Sequence, residues 1–191
     1  ADAAGPSVVD HLRQLAAPLS GMRVVHVNST RVGGGVAEIL AKLVPLKREL
    51  GIDATWSVIR GDAEFFRTTK AFHNALQGAD TDVAQTELDH YEETNAANAE
   101  EMRDLLESAD IVFVHDPQPA PLLSLVPKRR GKWIWRCHID VSRPNERVWN
   151  YLKPFVEAYD ASIFSLAAFA QNLAHTQYLI PPSIDPLSEK N

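Results

Sequence analysis

Short runs of almost uninterrupted β-branched and aromatic residues alternate in this chain with stretches whose apolar side chains recur every three or four positions, and that alternation restricts the fold more than any other feature. The first run, residues 22–28, reads Met-Arg-Val-Val-His-Val-Asn, and further runs occupy 54–59, 111–114, 133–137, 161–164 and 177–180. A strand that is apolar at successive positions has no side for water, so it belongs inside a sheet covered on both faces. The intervening stretches read as helices. Val36, Ile39, Leu40, Leu43, Leu46 and Leu50 keep helical spacing, with Gly51 closing the helix and Pro45 expected to kink it. Asp62 is placed to cap a helix carrying Phe65, Phe66, Phe72 and Leu76 and ended by Gly78. Residues 85–107 are acidic, and their stripe of Leu88, Tyr91, Asn95, Met102, Leu105 and Leu106 predicts one long surface helix. A peripheral helix before Pro18, another over 146–158 and a short one after 164 complete the series. Parallel strands need crossover connections, and helices supply them. The expected class is therefore α/β, a Rossmann-like parallel sheet with helices on both faces. Ligands of such sheets sit beyond the carboxyl ends of the strands, so the loops that follow strands are where chemistry is sought.

Composition narrows the partners. The 191 residues suit a single domain, and their 45% hydrophobic and 23% charged content is that of a globular chain. A net charge of −6 disfavours a grip on nucleic acid, which is built on clustered cations; the one basic cluster, Lys128-Arg129-Arg130, reads as a solvated loop. No stretch approaches the roughly 18 apolar residues of a membrane span, and the first residues lack a basic segment followed by an apolar block. A lone Cys137 has no partner for a disulfide or a cysteine zinc cluster, and cytoplasm is the expected compartment.

Three loops after strands carry unusual residues. Asn28-Ser29-Thr30-Arg31-Val32-Gly33-Gly34-Gly35 delivers glycines to a helix N-terminus, where unpaired N–H groups receive an anion such as a diphosphate. The same residues also suit a plain strand-to-helix turn with positive φ at one or two positions, although three successive glycines exceed that need. It is neither a G-x-G-x-x-G fingerprint nor a P-loop. In the second loop His115, Asp116 and Gln118 stand among three prolines, a rigid carboxylate and amide suited to sugar hydroxyls, or else a capped Asp-Pro turn. In the third, Arg136-Cys137-His138-Ile139-Asp140, His138 is a donor to a ligand oxygen, a partner of Asp140, or a satisfied structural histidine. His26 reads as a core histidine, and Trp133 and Trp135, two apart, share one face and pack against a helix. His115 with His138 lacks the ligand spacing of a zinc site. Cys137 and His138 point to opposite faces, which disfavours a thiol nucleophile.

These motifs carry a resemblance. Val25-His26-Val27-Asn28-Ser29-Thr30 with Gly33-Gly34-Gly35-Val36-Ala37-Glu38, Phe72-His73-Asn74-Ala75-Leu76-Gln77-Gly78, His115-Asp116-Pro117-Gln118, Trp135-Arg136-Cys137-His138-Ile139-Asp140 and Pro182-Ser183-Ile184-Asp185-Pro186-Leu187 occur in one order. In them the chain resembles the N-terminal domain of trehalose glycosyltransferring synthases and the related trehalose phosphorylases, retaining glycosyltransferases of the GT-B architecture. The resemblance implies that residues 1–182 are a Rossmann-like acceptor-binding domain, the N-terminal half of a GT-B enzyme. Residues 183–191 would start an interdomain linker, and the C-terminal nucleotide-sugar domain would be absent from this chain.

The implied activity is transfer of glucose from a nucleoside diphosphate glucose, such as UDP-glucose, to glucose, forming trehalose with retained configuration. By the same resemblance Gly33, Gly34 and Gly35 face the donor diphosphate, and Asp116 and His138 are the catalytic pair. Asp116 would bind acceptor hydroxyls and His138 would contact the transferred glucose. Gln118 and Arg136 follow as acceptor contacts by adjacency. The implied partners are glucose, trehalose and nucleotide sugar, with no metal and no organic cofactor. The 191 residues alone are expected to be inactive, and the surface left by the absent domain to favour a homodimer. Two other readings stand beside this one: half of a trehalose phosphorylase, and a stand-alone sugar-binding module without catalysis.

Overall fold

The structure, a computed structural model, describes residues 5–182. Ser183 to Leu187 of the last motif, and the linker expected at 183–191, lie outside the described residues. Six strands, β1 (Arg23–Asn28), β2 (Asp53–Val58), β3 (Ile111–His115), β4 (Lys132–Arg136), β5 (Ala161–Phe164) and β6 (Thr176–Leu179), form one sheet in the order β2-β1-β3-β4-β5-β6. Every adjacent pair is parallel. The helices are α1 (Pro6–Ala16), α2 (Gly35–Glu49), α3 (Ala63–Leu76), α4 (Gln85–Glu101), α5 (Arg103–Ser108), α6 (Leu122–Leu125) and α7 (Glu146–Glu157). The expected Rossmann-like α/β class is the one observed, and each strand lies within one residue of its predicted bounds.

Alternate residues of the strands divide the interior into two cores. Val25 and Val27 of β1, Val112 and Val114 of β3, and Trp133 and Trp135 of β4 pack with Phe65, Phe72 and Leu76 of α3, Tyr91 of α4, and Leu152 and Val156 of α7. On the other face Val24 of β1 and Ala54 of β2 meet Ala16 of α1 and Leu40 and Val44 of α2. Each large apolar side chain removed from water contributes about 1.5–3 kcal/mol, so the first core dominates the stability. Both tryptophans lie in it, on the shared face their spacing predicted.

Two expectations are corrected. Residues 85–107 are not one surface helix: they divide at Met102 into α4 and α5, and α4 buries Tyr91, Asn95, Asn98 and Ala99. Its polar residues clamp loops. The Tyr91 hydroxyl donates to the Pro117 carbonyl (2.6 Å), Asn95 donates to the Gln118 carbonyl (3.1 Å), and Asn98 both donates to and accepts from the Arg60 backbone (2.7 Å each). An acidic composition concealed that inward face. Lys128-Arg129-Arg130 is not simply solvated either. Arg129 pairs with Asp160 (2.6 Å) and Arg130 with Asp110 (2.7 Å), while those carboxylates also accept from the backbone N–H groups of Trp133 and Arg23, at the amino-end starts of β4 and β1.

Candidate functional site

From β1 the chain crosses to β2 on one side and then returns to β3 on the other, so the strand order reverses beside β1. A cleft of about 370 Å³ opens at the carboxyl ends there, lined by residues that follow β1 and β3 and by one face of α3. That volume lies at the lower end of the roughly 300–1,000 Å³ of small-molecule sites.

The glycine turn forms one wall. Gly33 and Gly34 have φ of 72° and 133°, values that L side chains rarely adopt, whereas Gly35 is an ordinary first residue of α2. No side chain caps this helix, and its first backbone bond runs from the Glu38 N–H to the Gly34 carbonyl (3.2 Å), so the N–H groups of Gly35, Val36 and Ala37 precede the intrahelical ladder. A methyl group on any of the three glycines would meet no atom within 4 Å; the space before these donors is open. The turn is braced from β1, where Asn28 donates to the Thr30 carbonyl (2.7 Å) and accepts from the Trp56 indole (2.8 Å).

Asp116 and Gln118 line the same cleft. Asp116 is the one non-glycine among the described residues with positive φ, 62°, although a residue before proline ordinarily stays extended. Its surroundings impose the conformation. Its N–H donates to the Arg136 carbonyl (2.9 Å), its carbonyl accepts from the Trp135 indole (3.0 Å), and its Oδ1 accepts from the His138 N–H (2.7 Å). A strained residue held so firmly at a cleft is a common mark of function. Burial raises the Asp116 carboxyl to about 7, against the downward pull of the His138 N–H and the Arg136 guanidinium. The side chain nonetheless keeps surface toward the cleft, and no described residue bonds its Oδ2.

Beside Asp116 runs a row of polar side chains, of which His115 also lines the cleft. Lys47 Nζ of α2 lies 2.8 Å from His26 Nε2, His26 Nδ1 lies 3.0 Å from His115 Nε2, and His115 Nδ1 lies 3.0 Å from His138 Nε2. Burial lowers His26 to about 3 and His138 to about 4, and depresses His115 well below the ordinary histidine range, so all three are neutral near pH 7. His26 is buried, as its strand position predicted, but it is a link in this row.

The structure therefore brings together Gly33, Gly34, Gly35, Asp116 and Gln118 around one cleft, with His138 bonded directly to Asp116. Asp140 is not the partner of His138; its carboxylate accepts from the Ser142 N–H (2.9 Å). Neither Arg136 nor His138 lines the cleft: His138 reaches it only through its backbone bond to Asp116, and the Arg136 guanidinium donates to the Ile180 carbonyl (2.6 Å). Cys137 is buried on the opposite face from His138, and burial pushes its thiol well up. Phe66, Thr69, Lys70 and His73 of α3 also line the cleft and were missed. Their spacing of three, one and three marks one helix face, which was visible; that it fronts the cleft depends on the crossover from β2. Among the described residues no cluster of three His, Cys, Asp or Glu side chains could hold a metal ion, and no helix is long and apolar enough to cross a membrane.

Comparison with known proteins is consistent in kind. The family described as "Trehalose synthase, N-terminal domain" matches residues 26–171. A trehalose synthase of Thermococcus litoralis is 49% identical over 190 residues, covering 98% of this chain and 45% of that protein. A trehalose phosphorylase of Pleurotus pulmonarius is 31% identical over 162 residues, covering 74% of this chain and 22% of that protein. The chain thus spans less than half the length of these relatives. Among solved structures, an alpha,alpha-trehalose-phosphate synthase (UDP-forming) from Burkholderia vietnamiensis superposes with a TM-score of 0.54 at 19% identity, covering 78% of this chain and 41% of that one, a likeness of fold.

Proposed function

The chain belongs to the trehalose synthase N-terminal-domain family, and from that premise we propose that it forms the acceptor side of a retaining glycosyltransferase. The enzyme moves glucose from a nucleoside diphosphate glucose, such as UDP-glucose, to a second glucose and so makes trehalose. The observation that carries this is the convergence of the glycine turn and Asp116 on one cleft at the strand reversal, with His138 tied to Asp116. Residues 1–182 supply this half. A second domain beyond a linker starting at 183–191 holds most of the nucleotide, and the lone Cys137 suits a reducing cytoplasm.

The chemistry divides between the glycine turn and Asp116. As the bond from glucose C1 to the phosphate oxygen breaks, negative charge grows on the departing diphosphate. The first-turn N–H donors and the positive end of α2 stabilise that charge. The acceptor hydroxyl forms the new C1–O bond on the same face and passes its proton to the leaving phosphate. Configuration is kept and no protein base is required. Asp116 orients the acceptor, its Oδ1 held by the His138 N–H and its Oδ2 left for a sugar hydroxyl. A carboxyl poised near 7 serves as acceptor or, when protonated, as donor. Gln118 gives the acceptor a second contact, and Arg136 acts on it through the charge of Asp116.

The 31% identity to a trehalose phosphorylase supports a second reading, in which inorganic phosphate takes the place of the nucleotide at the glycine turn. Calorimetric titration of the chain with glucose, trehalose, UDP-glucose and inorganic phosphate tests both. Glucose binding that is lost in Asp116→Ala supports the acceptor role, and no binding of any of the four overturns it. Phosphate binding with indifference to UDP-glucose favours the phosphorylase. With UDP-glucose and glucose together the chain is expected to form no trehalose; turnover at an ordinary enzymatic rate would refute the division into two halves.

A further inference from the structure

The row from Lys47 to His138 has a direction. A neutral imidazole carries one N–H and one bare nitrogen, so each histidine that donates to one neighbour must accept from the other. Three hydrogen bonds in series then allow two consistent arrangements, with every proton donated toward His138 or every proton donated toward Lys47. Any mixture sets two N–H groups or two bare nitrogens face to face at 3.0 Å, or places an extra positive charge on a buried ring.

The Lys47 end decides between them, because an ammonium has three donors and no acceptor. His26 Nε2 must therefore be bare, and its proton sits on Nδ1. That proton is donated to His115 Nε2, which puts the His115 proton on Nδ1 and directs it at His138 Nε2. The His138 proton is left on Nδ1, an atom that no described residue bonds. The geometry holds the line in place. The His26 ring stacks on Phe113 with centroids 4.8 Å apart and planes 8° from parallel, and Lys47 Nζ lies 4.6 Å from the centroid of the Phe113 ring, a contact that favours its charged form. His115 stacks on both neighbours at 5.3 Å. Burial lowers Lys47 to about 8, which leaves it charged at pH 7. The other charged groups near the row are Arg136 and Asp116, both at the rim end.

We propose that Lys47, acting through His26 and His115, fixes His138 as an Nδ1–H donor at the carboxyl rim of the sheet, where it meets an oxygen of a bound glucosyl group. Lys47, His26 and His115 are positioning residues. The identity of the oxygen rests on the transferase reading of the cleft; the polarity of the row does not.

Free histidine in water favours the proton on Nε2, so the arrangement is distinctive. Long-range proton–nitrogen spectra of the histidine-labelled chain at pH 7 are expected to show Nδ1–H and bare Nε2 at His26, His115 and His138. An Nε2–H form at any of the three overturns the proposal, and this measurement on the unsubstituted protein needs no variant to fold. Lys47→Met is expected to give mixed tautomers along the row, and Lys47→Arg to restore Nδ1–H. A pattern unchanged in Lys47→Met refutes Lys47 as the residue that sets the direction. Trehalose, which offers two glucosyl groups, is expected to shift the His138 Nδ1 signal and leave His26 in place. If it shifts neither, the sugar-facing role of His138 and the transferase reading fall together, while the tautomer spectra judge the polarity by themselves.

Discussion

The two faces of the central sheet are made by alternate residues of the same strands, yet they solve opposite problems. One face presents Val25, Val27, Val112, Val114, Trp133 and Trp135 and is closed by helices into a dry core. The other carries the smaller apolar core of Val24, Ala54, Leu40 and Val44 and, toward the carboxyl ends, His26, His115 and His138, wired to Lys47 and meeting the cleft at His115. Dry packing requires volume and shape, and many apolar sets satisfy it. A buried polar row requires each atom to find its partner, and so tolerates almost no substitution. The first face should govern stability and the second the chemistry, and each expectation below can break that separation.

The largest effect belongs to the dry face. Trp133→Ala opens a cavity in a site that is 0% exposed and is expected to cost about 3–5 kcal/mol in chemical denaturation. A loss under about 1.5 kcal/mol would mean that this face is loosely packed and is not the source of stability.

Next comes the chemistry of the polar face. In a two-domain version of the protein, Asp116→Ala is expected to weaken transition-state binding by about 2–4 kcal/mol, read as kcat/KM for trehalose formation. Stability at pH 8 should not fall by a comparable amount, because the group removed is a carboxylate that burial already makes costly to ionise. An unchanged rate would take Asp116 out of the site.

The faces also differ in their response to acid. In the unfolded chain the histidines of the row take up protons below about pH 6.5, whereas in the folded chain His26 and His138 do so only near 3 and 4, and His115 also titrates far below the ordinary range. Their contribution is complete above pH 6.5 and is lost as pH falls. Asp116 works in the opposite sense, since the folded chain keeps a proton up to about 7 that the unfolded chain releases near 4. His73 and His90 are shifted in opposing directions, His73 down by burial and His90 up by its bond to Asp62. Near pH 5 unfolding therefore binds about three protons and releases about one, and stability should drop by about 2–3 kcal/mol per pH unit between pH 6 and 5. Urea titrations at pH 7, 6 and 5 measure this; a flat profile would mean that the row is not sealed from water.

How much of each face could be read in the sequence follows from the same contrast. The dry face was legible because burial writes itself into local pattern: every strand bound was within one residue, and the spacing of Trp133 and Trp135 gave their common side. That the glycine turn and Asp116 line one cleft was legible from their place after strands, where a parallel sheet opens its ligand sites, whereas His138, also after a strand, does not line it. What bonds what was not legible. His26 and His115 are 89 residues apart, and only the pairing of β1 with β3 brings them together. The positive φ of Asp116 comes from bonds made by Arg136, Trp135 and His138, none of them local, and against the preference of a residue before proline. Tyr91 was seen in the right stripe but assigned to a surface, because its partner, the Pro117 carbonyl, lies across the fold.

The smallest expected effect separates the backbone need for glycine from a ligand need within one turn. Gly34→Ala puts a Cβ on a residue with φ of 133°, and strain of about 1–2 kcal/mol should appear in thermal melting, although the methyl meets no atom within 4 Å. Gly35→Ala carries no such strain. Gly35 has ordinary helical backbone and equally open space, so the change should leave stability level or raise it by up to about 1 kcal/mol. If the third glycine served the backbone alone, Gly35→Ala would be silent in every assay. The open space stands before unpaired N–H groups at a helix N-terminus, and a methyl group there would hold an anion away from its donors. Gly35→Ala is therefore expected to weaken inorganic phosphate or UDP-glucose binding several-fold while the melting temperature holds or rises. Unchanged affinity in calorimetric titration would reduce the triple glycine to a strand-to-helix turn and remove the anion from this wall of the cleft.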